Sequence, residues 1–313
     1  MKQAKTRSFH EEIARNKRDS VLIIMGVALI WAALGLSIGF AFNQPFVGAA
    51  VAAGITFIQI LVLAGAGNSI ALVMMGAKEA EPAKYPVLHN VVEEMAIASG
   101  LPKPKVYVIH TPAMNAFATG MSPEKSAIAV TTGLMRNLNR DELQGVVAHE
   151  MSHIRNYDIR VAIILAVMVG SIVMLSDFFL RWAFWGGSSR SSDDNKGGQA
   201  QAIFMLIALL FAILAPIFAV MLQMAVSRRR EYLADASAAE LTRYPMGLEN
   251  ALRKLASPDA PKYKESGKTF SHLFIVNPLR HAKQSSSVFD THPPIRERIA
   301  RLEQMAYQFR ESE

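Results

Sequence analysis

The chain contains no cysteine. Disulfides and thiolate ligands are thereby excluded, so any metal must be held by imidazole and carboxylate. The lack identifies no compartment. Charge is also scarce: 19% of the 313 residues are Asp, Glu, Lys or Arg, against 51% hydrophobic. That balance is too apolar for an ordinary soluble domain and points to membrane spans. The charge present leans positive, with a formal net of +7. The basic residues gather beside the apolar runs, as the cytoplasmic flanks of spans do. No RNA-binding signature accompanies them, and nucleic acid is not an expected partner.

Long runs without charge are what the chain has in abundance. Val21 to Phe42 is one and Phe46 to Met75 another, with a turn at Asn43, Gln44 and Pro45. About 20 apolar residues cross a bilayer as a helix, so the two predict a transmembrane hairpin over 21–75. The second run exceeds the need, and its end near Asn68 and Ser69 can leave the membrane as helix. Residues 1–20 are charged and mixed in sign. The run after them is too long for a signal-peptide core and lacks a small-residue cleavage pattern, so it reads as a retained span. Val161 to Leu180 is a third candidate, ending in Phe178, Phe179, Trp182, Phe184 and Trp185, like an interfacial aromatic belt. Ile203 to Met224 is a fourth, with a polar Gly/Ser-rich loop at 186–199 between the two. The competing reading of 161–224 is a buried helical hairpin of a soluble domain.

Lys2, Lys5, Arg7, Arg15, Lys17 and Arg18 precede the first run, and Arg228, Arg229 and Arg230 follow the fourth. The positive-inside rule then puts both termini in the cytoplasm. The expected organisation is a cytoplasmic segment (1–20), a membrane hairpin (21–75), a first catalytic part (76–160), a second membrane hairpin (161–224) and a second catalytic part (225–313).

Asn139-Arg140-Asp141-Glu142 reads as a helix start, with Asn139 as cap and Glu142 at the reciprocal position. The helix continues into His149-Glu150-Met151-Ser152-His153. Residues four apart share a helix face, so both imidazoles can grip one ion, and Glu150 lies beside it as base. A catalytic zinc needs a third protein ligand and an open position. A third His six residues on is ruled out, because that position is Ile159 and Asn156 stands where a Gly would be required. Glu231 is the better candidate, and Asp235, four residues further on the same face, can accept the free ring N–H of a ligand His. The bland alternative for Glu231 and Asp235 is a solvated helix face paired with the arginines. Two crossings between His153 and Glu231 return both to one side of the bilayer. From His153 to Val161 is about 12 Å of helix at 1.5 Å per residue, which puts the metal close to the membrane surface.

Asn115, Ala116, Phe117 and Ala118 follow the strand-like Val106 to Ile109, and Ser126 to Thr131 alternates like a partner strand. The segment is either a structural hairpin or an edge strand able to bind a substrate backbone. His292, before Pro293-Pro294, reads on its own as surface decoration. His110, His272 and His281 lack motif context. Residues 262–290, weakly periodic, are a lid or a long loop.

Over nearly its whole length the chain resembles the HtpX-type peptidases of the M48 family, relatives of the CAAX-prenyl protease Ste24. The resemblance rests on the amino-terminal hairpin, Asn115-Ala116-Phe117-Ala118, the two-His motif, Glu231-Tyr232-Leu233-Ala234-Asp235, and His292-Pro293-Pro294 with Arg298. It implies an α-helical membrane protein with a cytoplasmic gluzincin-type α+β peptidase domain, mainly helical with a small β-sheet. It implies one Zn2+ per chain on His149, His153 and Glu231, and tips Asn115 to Ala118 toward substrate binding. It also implies that His292 and Arg298 face the cleft and steady the oxyanion. The implied activity is a bacterial inner-membrane endopeptidase that degrades misfolded or damaged membrane proteins in quality control and stress response. The implied partners are protein or peptide substrates and the lipid bilayer. The rivals are a CAAX-type processing peptidase with one defined partner, and a non-catalytic metal-binding membrane scaffold. Glu150 speaks against the scaffold, since holding a metal does not require it.

Overall fold

A computed structural model of the chain describes residues 9–41, 44–66, 69–164, 228–257, 260–261 and 293–311, with the single positions 167, 206 and 210. The chain divides into two compact units. One comprises Met1–Arg18, Ala66–Ile163 and Val226–Glu313, and the other Asp19–Gly65 and Ile164–Ala225.

The second unit holds most of helix α1 (Phe9–Ala41) and of helix α2 (Pro45–Ala66). Pro45 is the first residue of α2, where its missing N–H costs nothing. Gly35 and Gly48 lie so close that a Cβ on either would run into the other's backbone. Such small-residue contacts let helix backbones approach in lipid. Large apolar side chains point outward on both helices: Leu22, Met25 and Leu29 on α1, and Phe46 (88% exposed), Phe57 and Ile58 on α2. Among the described residues, Pro45–Leu63 is the one stretch long and apolar enough to cross a membrane. The expected third and fourth spans fall outside the described residues, apart from 161–164, 167, 206 and 210.

The first unit carries the remaining elements. After α3 (Ile70–Met74) come β1 (Lys78–Glu79), α4 (Pro86–Ser99), β2 (Lys105–Ile109) and β3 (Ala116–Gly120). β4 (Ser126–Thr131), α5 (Thr132–Asn137) and α6 (Arg140–Arg155) follow, then α7 (Arg228–Thr242), α8 (Pro245–Leu255) and α9 (Ile295–Glu311). The sheet order is β1-β2-β4-β3, with β2 and β4 parallel and the other pairs antiparallel. β4 is buried at every position, which suits an inner strand rich in Ala, Ile and Val. β3 is left at the edge.

The last residues of the second apolar run belong to the first unit. Ala71, Leu72 and Met75 belong to a core cluster with Ile109, Phe117, Ala127 and Ala129. A short buried helix is as apolar as the end of a span, and composition alone does not separate the two.

α4 starts at Pro86 and stops at Gly100, which takes the left-handed φ of 67°. Its Leu88, Val91, Val92, Met95 and Ala96 are buried, and α6 packs against it. Full burial of such aliphatic side chains contributes about 1.5–3 kcal/mol each. α6 begins with a capping box: Asn139 accepts from the Glu142 N–H at 2.9 Å, and Glu142 accepts from the Asn139 N–H at 2.8 Å. Lys254 of α8 closes that corner on Glu142 at 2.7 Å. Gly145 lets α8 approach α6, since a Cβ there would sit 2.5 Å from the Leu248 nitrogen. Packed among α4, α7, α8 and β3, α6 is buried over nearly its whole second half.

The straight run of helix expected from His153 to Val161 is interrupted. α6 ends at Arg155, Tyr157 adopts a positive φ of 60°, and helical residues resume at Asp158. The estimate of a 12 Å helical spacer therefore does not hold.

Candidate active site

The helical period brings His149 and His153 onto one face of α6, with their rings edge to face and 4.8 Å apart. Their Nε2 atoms are 3.3 Å apart. Glu231, in the first turn of α7, places Oε2 3.8 Å from His149 Nε2 and Oε1 3.5 Å from His153 Nε2. Three donors about 2.0–2.1 Å from a tetrahedral zinc are separated by about 3.3–3.4 Å. The closest approaches among the three side chains lie near that spacing, one ligand atom from each lies within 4.8 Å of the others, and two imidazoles with one carboxylate are a donor set that zinc accepts. His149, His153 and Glu231 thus form a group that could hold a metal ion.

Each imidazole has a carboxylate on its other nitrogen. Asp235 Oδ1 lies 3.0 Å from His149 Nδ1, and Asp158 Oδ2 lies 3.0 Å from His153 Nδ1. A carboxylate on Nδ1 fixes the tautomer and leaves Nε2 free to ligate. Arg298 of α9, 1% exposed, is bidentate on Asp235, with Nε to Oδ2 at 2.8 Å and Nη2 to Oδ1 at 2.7 Å. Its Nη1 lies 3.3 Å from Glu231 Oε2. The same Nη2 comes within 3.4–3.5 Å of the His149 ring nitrogens. His149 Nδ1 has one hydrogen at most, and the closer Asp235 takes it.

Burial lowers the His149 pKa and keeps the ring neutral, against the opposing pull of Asp235. Burial acts the same way on His153, but the Asp158 hydrogen bond and the charges of Glu231 and Asp158 prevail and raise it to about 9. Burial works to raise Asp235 as well; the Arg298 charge and the hydrogen bonds from His149 and Arg298 outweigh it, and Asp235 stays below the usual range.

Glu150 is 4% exposed, and burial lifts its carboxyl to about 7 against His153 and a backbone hydrogen bond. That bond comes from Ala118 N–H of β3 to Glu150 Oε2 at 2.8 Å. It also fixes the orientation of the edge. In an antiparallel pair, alternate residues turn both polar groups toward one neighbour. Ala118 points its N–H away from β4, so Ala116 does too. Asn115 points the other way: its N–H donates to Thr131 Oγ1 at 2.9 Å, and its carbonyl accepts from Thr131 N–H at 3.0 Å. Phe117 is 1% exposed and packs into the core.

The structure thus brings together His149, Glu150, His153, Glu231, Asp235, Arg298 and the 115–118 segment. Arg298, expected at the cleft, is buried on Asp235 and adjoins Glu231 and His149. His292 falls outside the described residues. Sequence reasoning missed Asp158. Its signal was a carboxylate three residues past the helix end, outside any motif and meaningful only once the chain turns back at Tyr157.

A model of peptidase family M48 matches residues 82–306. A protease HtpX homolog from Listeria monocytogenes is 48% identical over 302 residues, covering 94% of this chain and 99% of that protein. A second, from Limosilactobacillus reuteri, is 44% identical over 300 residues, covering 95% and 99%. The crystal structure of S. mikatae Ste24p shares the fold with a TM-score of 0.52 at 19% identity, over 94% of this chain and 67% of that one. With the ligand triangle and its neighbouring glutamate in place, these matches establish that the chain belongs to peptidase family M48.

Proposed function

We propose that the chain is a zinc endopeptidase that cleaves misfolded or damaged membrane proteins at the cytoplasmic surface of a bacterial inner membrane, in quality control and stress response. One observation carries the catalytic part: a group of His149, His153 and Glu231 that could hold a metal ion, beside a buried carboxylate, Glu150, that is hydrogen-bonded to an edge strand. A site built only to store metal needs neither the carboxylate nor the strand.

Zinc, when bound, supplies a Lewis acid that polarises a carbonyl and lowers the pKa of water to about 7. The remaining work belongs to the chain. Glu150, near neutrality in its own pKa, takes a proton from the attacking water and returns it to the leaving amine. Ala118 N–H aims Oε2. The outward N–H and carbonyl of Ala116 and the carbonyl of Ala118 are free in direction to pair with a substrate backbone as an added strand. A small cleft lined by Gly120, Met121, Ser122, His153 and Tyr157 lies at the end of that strand. Arg298 acts through Asp235 and Glu231, holding both in place. An oxyanion role is left to His292 in this reading.

The membrane setting is supported by the outward apolar faces of α1 and α2 and by the close Gly35–Gly48 contact. Residues 161–224 are proposed as a second membrane hairpin, with both termini cytoplasmic.

The test uses purified full-length protein. With zinc it should cleave an unfolded substrate such as casein, and a chelator should stop it. Glu150→Gln should keep full zinc content and lose cleavage by at least about 100-fold, the range for a general base. Near-normal turnover in a zinc-replete Glu150→Gln variant would overturn the assigned role.

A further inference from the structure

Asp158 orients the ligand His153, and something must orient Asp158. Its carboxylate has two claimants besides His153. Arg230 Nη1 lies 3.6 Å from Oδ1, too far for a hydrogen bond, and is buried without one. Asn16 Nδ2 donates to the same Oδ1 at 2.8 Å. The second hydrogen of that amide goes to the carbonyl of Asn156 at 2.6 Å. Asn16 is fully buried, 0% exposed, and lies 142 residues from Asp158 in sequence. Its neighbour Lys17 places its ammonium 4.6 Å above the ring of Tyr157. The amino-terminal segment thus grips each residue of the turn 156–158, which contains the strained positive φ of Tyr157.

We infer that Asn16 is a positioning residue of the metal centre, acting on His153 through Asp158. The reading rests on the metal site proposed above. The physics is a competition. With Asn16 holding Oδ1, Oδ2 is presented to His153 Nδ1. Without it, the carboxylate is drawn round toward the Arg230 guanidinium, whose full charge makes it a stronger donor than His153 once that ring is neutral as a metal ligand. The turn also loses the donor that closes it at Asn156. His153 then loses its fixed tautomer and ring orientation. Outer partners of this kind typically alter metal affinity by about 10–100-fold. Burying a polar amide is costly without good partners, and here both amide hydrogens are used, which packing alone would not require.

The experiment is a double-mutant cycle read by zinc-competition titration of the full-length chain, with thermal unfolding of the zinc-free protein followed separately. Asn16→Ala should weaken zinc by about tenfold, and Asp158→Ala by about 10–100-fold. In the Asp158→Ala background, Asn16→Ala should cost nothing more, because its route to His153 has already been removed. Should Asn16→Ala fail to fold, Asn16→Leu keeps the volume while removing the donor and gives the same comparison. Unchanged zinc affinity in the folded Asn16 variant would overturn the inference. An equal further loss in the Asp158→Ala background would also overturn it, since Asn16 would then act through packing. Failure of the unmodified chain to bind zinc would sink the metal-site reading itself, and this inference with it.

Discussion

Two imidazoles four residues apart on one helix sit in different fields. His149 is kept neutral by burial beside an Asp235–Arg298 pair, while His153, among Asp158, Glu231 and Glu150, is drawn up to about 9. A ligand must be deprotonated, so zinc has to displace the His153 proton. The sign follows: below pH 9 the ring holds a proton that zinc must remove, and above it none is left to compete. Zinc affinity should rise about tenfold per pH unit toward pH 9 and then level off. Calorimetry at pH 7 in buffers of different ionisation enthalpy should count close to one proton released, plus a fraction from Glu150. Zero release would contradict this charge arrangement. Asp235→Asn is a second test at this scale. It leaves an acceptor for His149 but strips the buried partner of Arg298, and breaking such a pair costs about 3–5 kcal/mol. We expect about 10–100-fold weaker zinc together with a lowered Tm; unchanged affinity in a competition titration would return Asp235 to a purely structural role. The motif residues were legible because their spacing is local and helical. Asp158 and Asn16 were not, because their relation spans 142 residues and depends on a turn that no pattern announces.

At the scale of elements, the edge strand was legible and its register was not. A short small-residue segment between two strand-like runs suggested a surface for substrate, and β3 does lie at the sheet edge. Asn115 cannot offer its own N–H to a substrate, because that N–H is spent on Thr131 Oγ1. The outward donor one step on is Ala116. Ala116→Pro should therefore raise KM for a peptide substrate by about 3–10-fold, the loss of one net hydrogen bond, measured on folded protein because Ala116 is buried. Asn115→Pro should instead lower the Tm. The reverse pattern, with Ala116→Pro silent on KM, would return the hairpin to a structural role. The α3 segment shows the converse difficulty. Leu72 and Met75 close an apolar run longer than a span needs, and they join the core cluster of Phe117; an apolar run says what is buried and not in which medium.

For the whole molecule, the question is which side of the bilayer carries the site, and two contacts bear on it from opposite ends of the chain. His153 and Glu231 come within 3.5 Å of each other, so 161–224 must cross an even number of times or not at all. Asn16 reaches Asp158 at 2.8 Å, so the segment before the first apolar run lies on the same side as the metal ligands. In the proposed topology the basic flanks choose the side: Lys2, Lys5, Arg7, Arg15, Lys17 and Arg18 ahead of the first run and Arg228 to Arg230 after the fourth, against a nearly neutral 188–199. A reporter active only outside the cytoplasm should then work when inserted near Ser192 and stay silent when fused after Glu313 or inserted beside Pro123. Activity at the carboxyl terminus with silence at Ser192 would invert the protein and move proteolysis outside. Silence at all three positions would return 161–224 to a cytoplasmic helical hairpin. Activity at both Ser192 and the terminus would require an odd number of crossings after α6, which the His153–Glu231 contact forbids; that result would remove Glu231 from the metal centre.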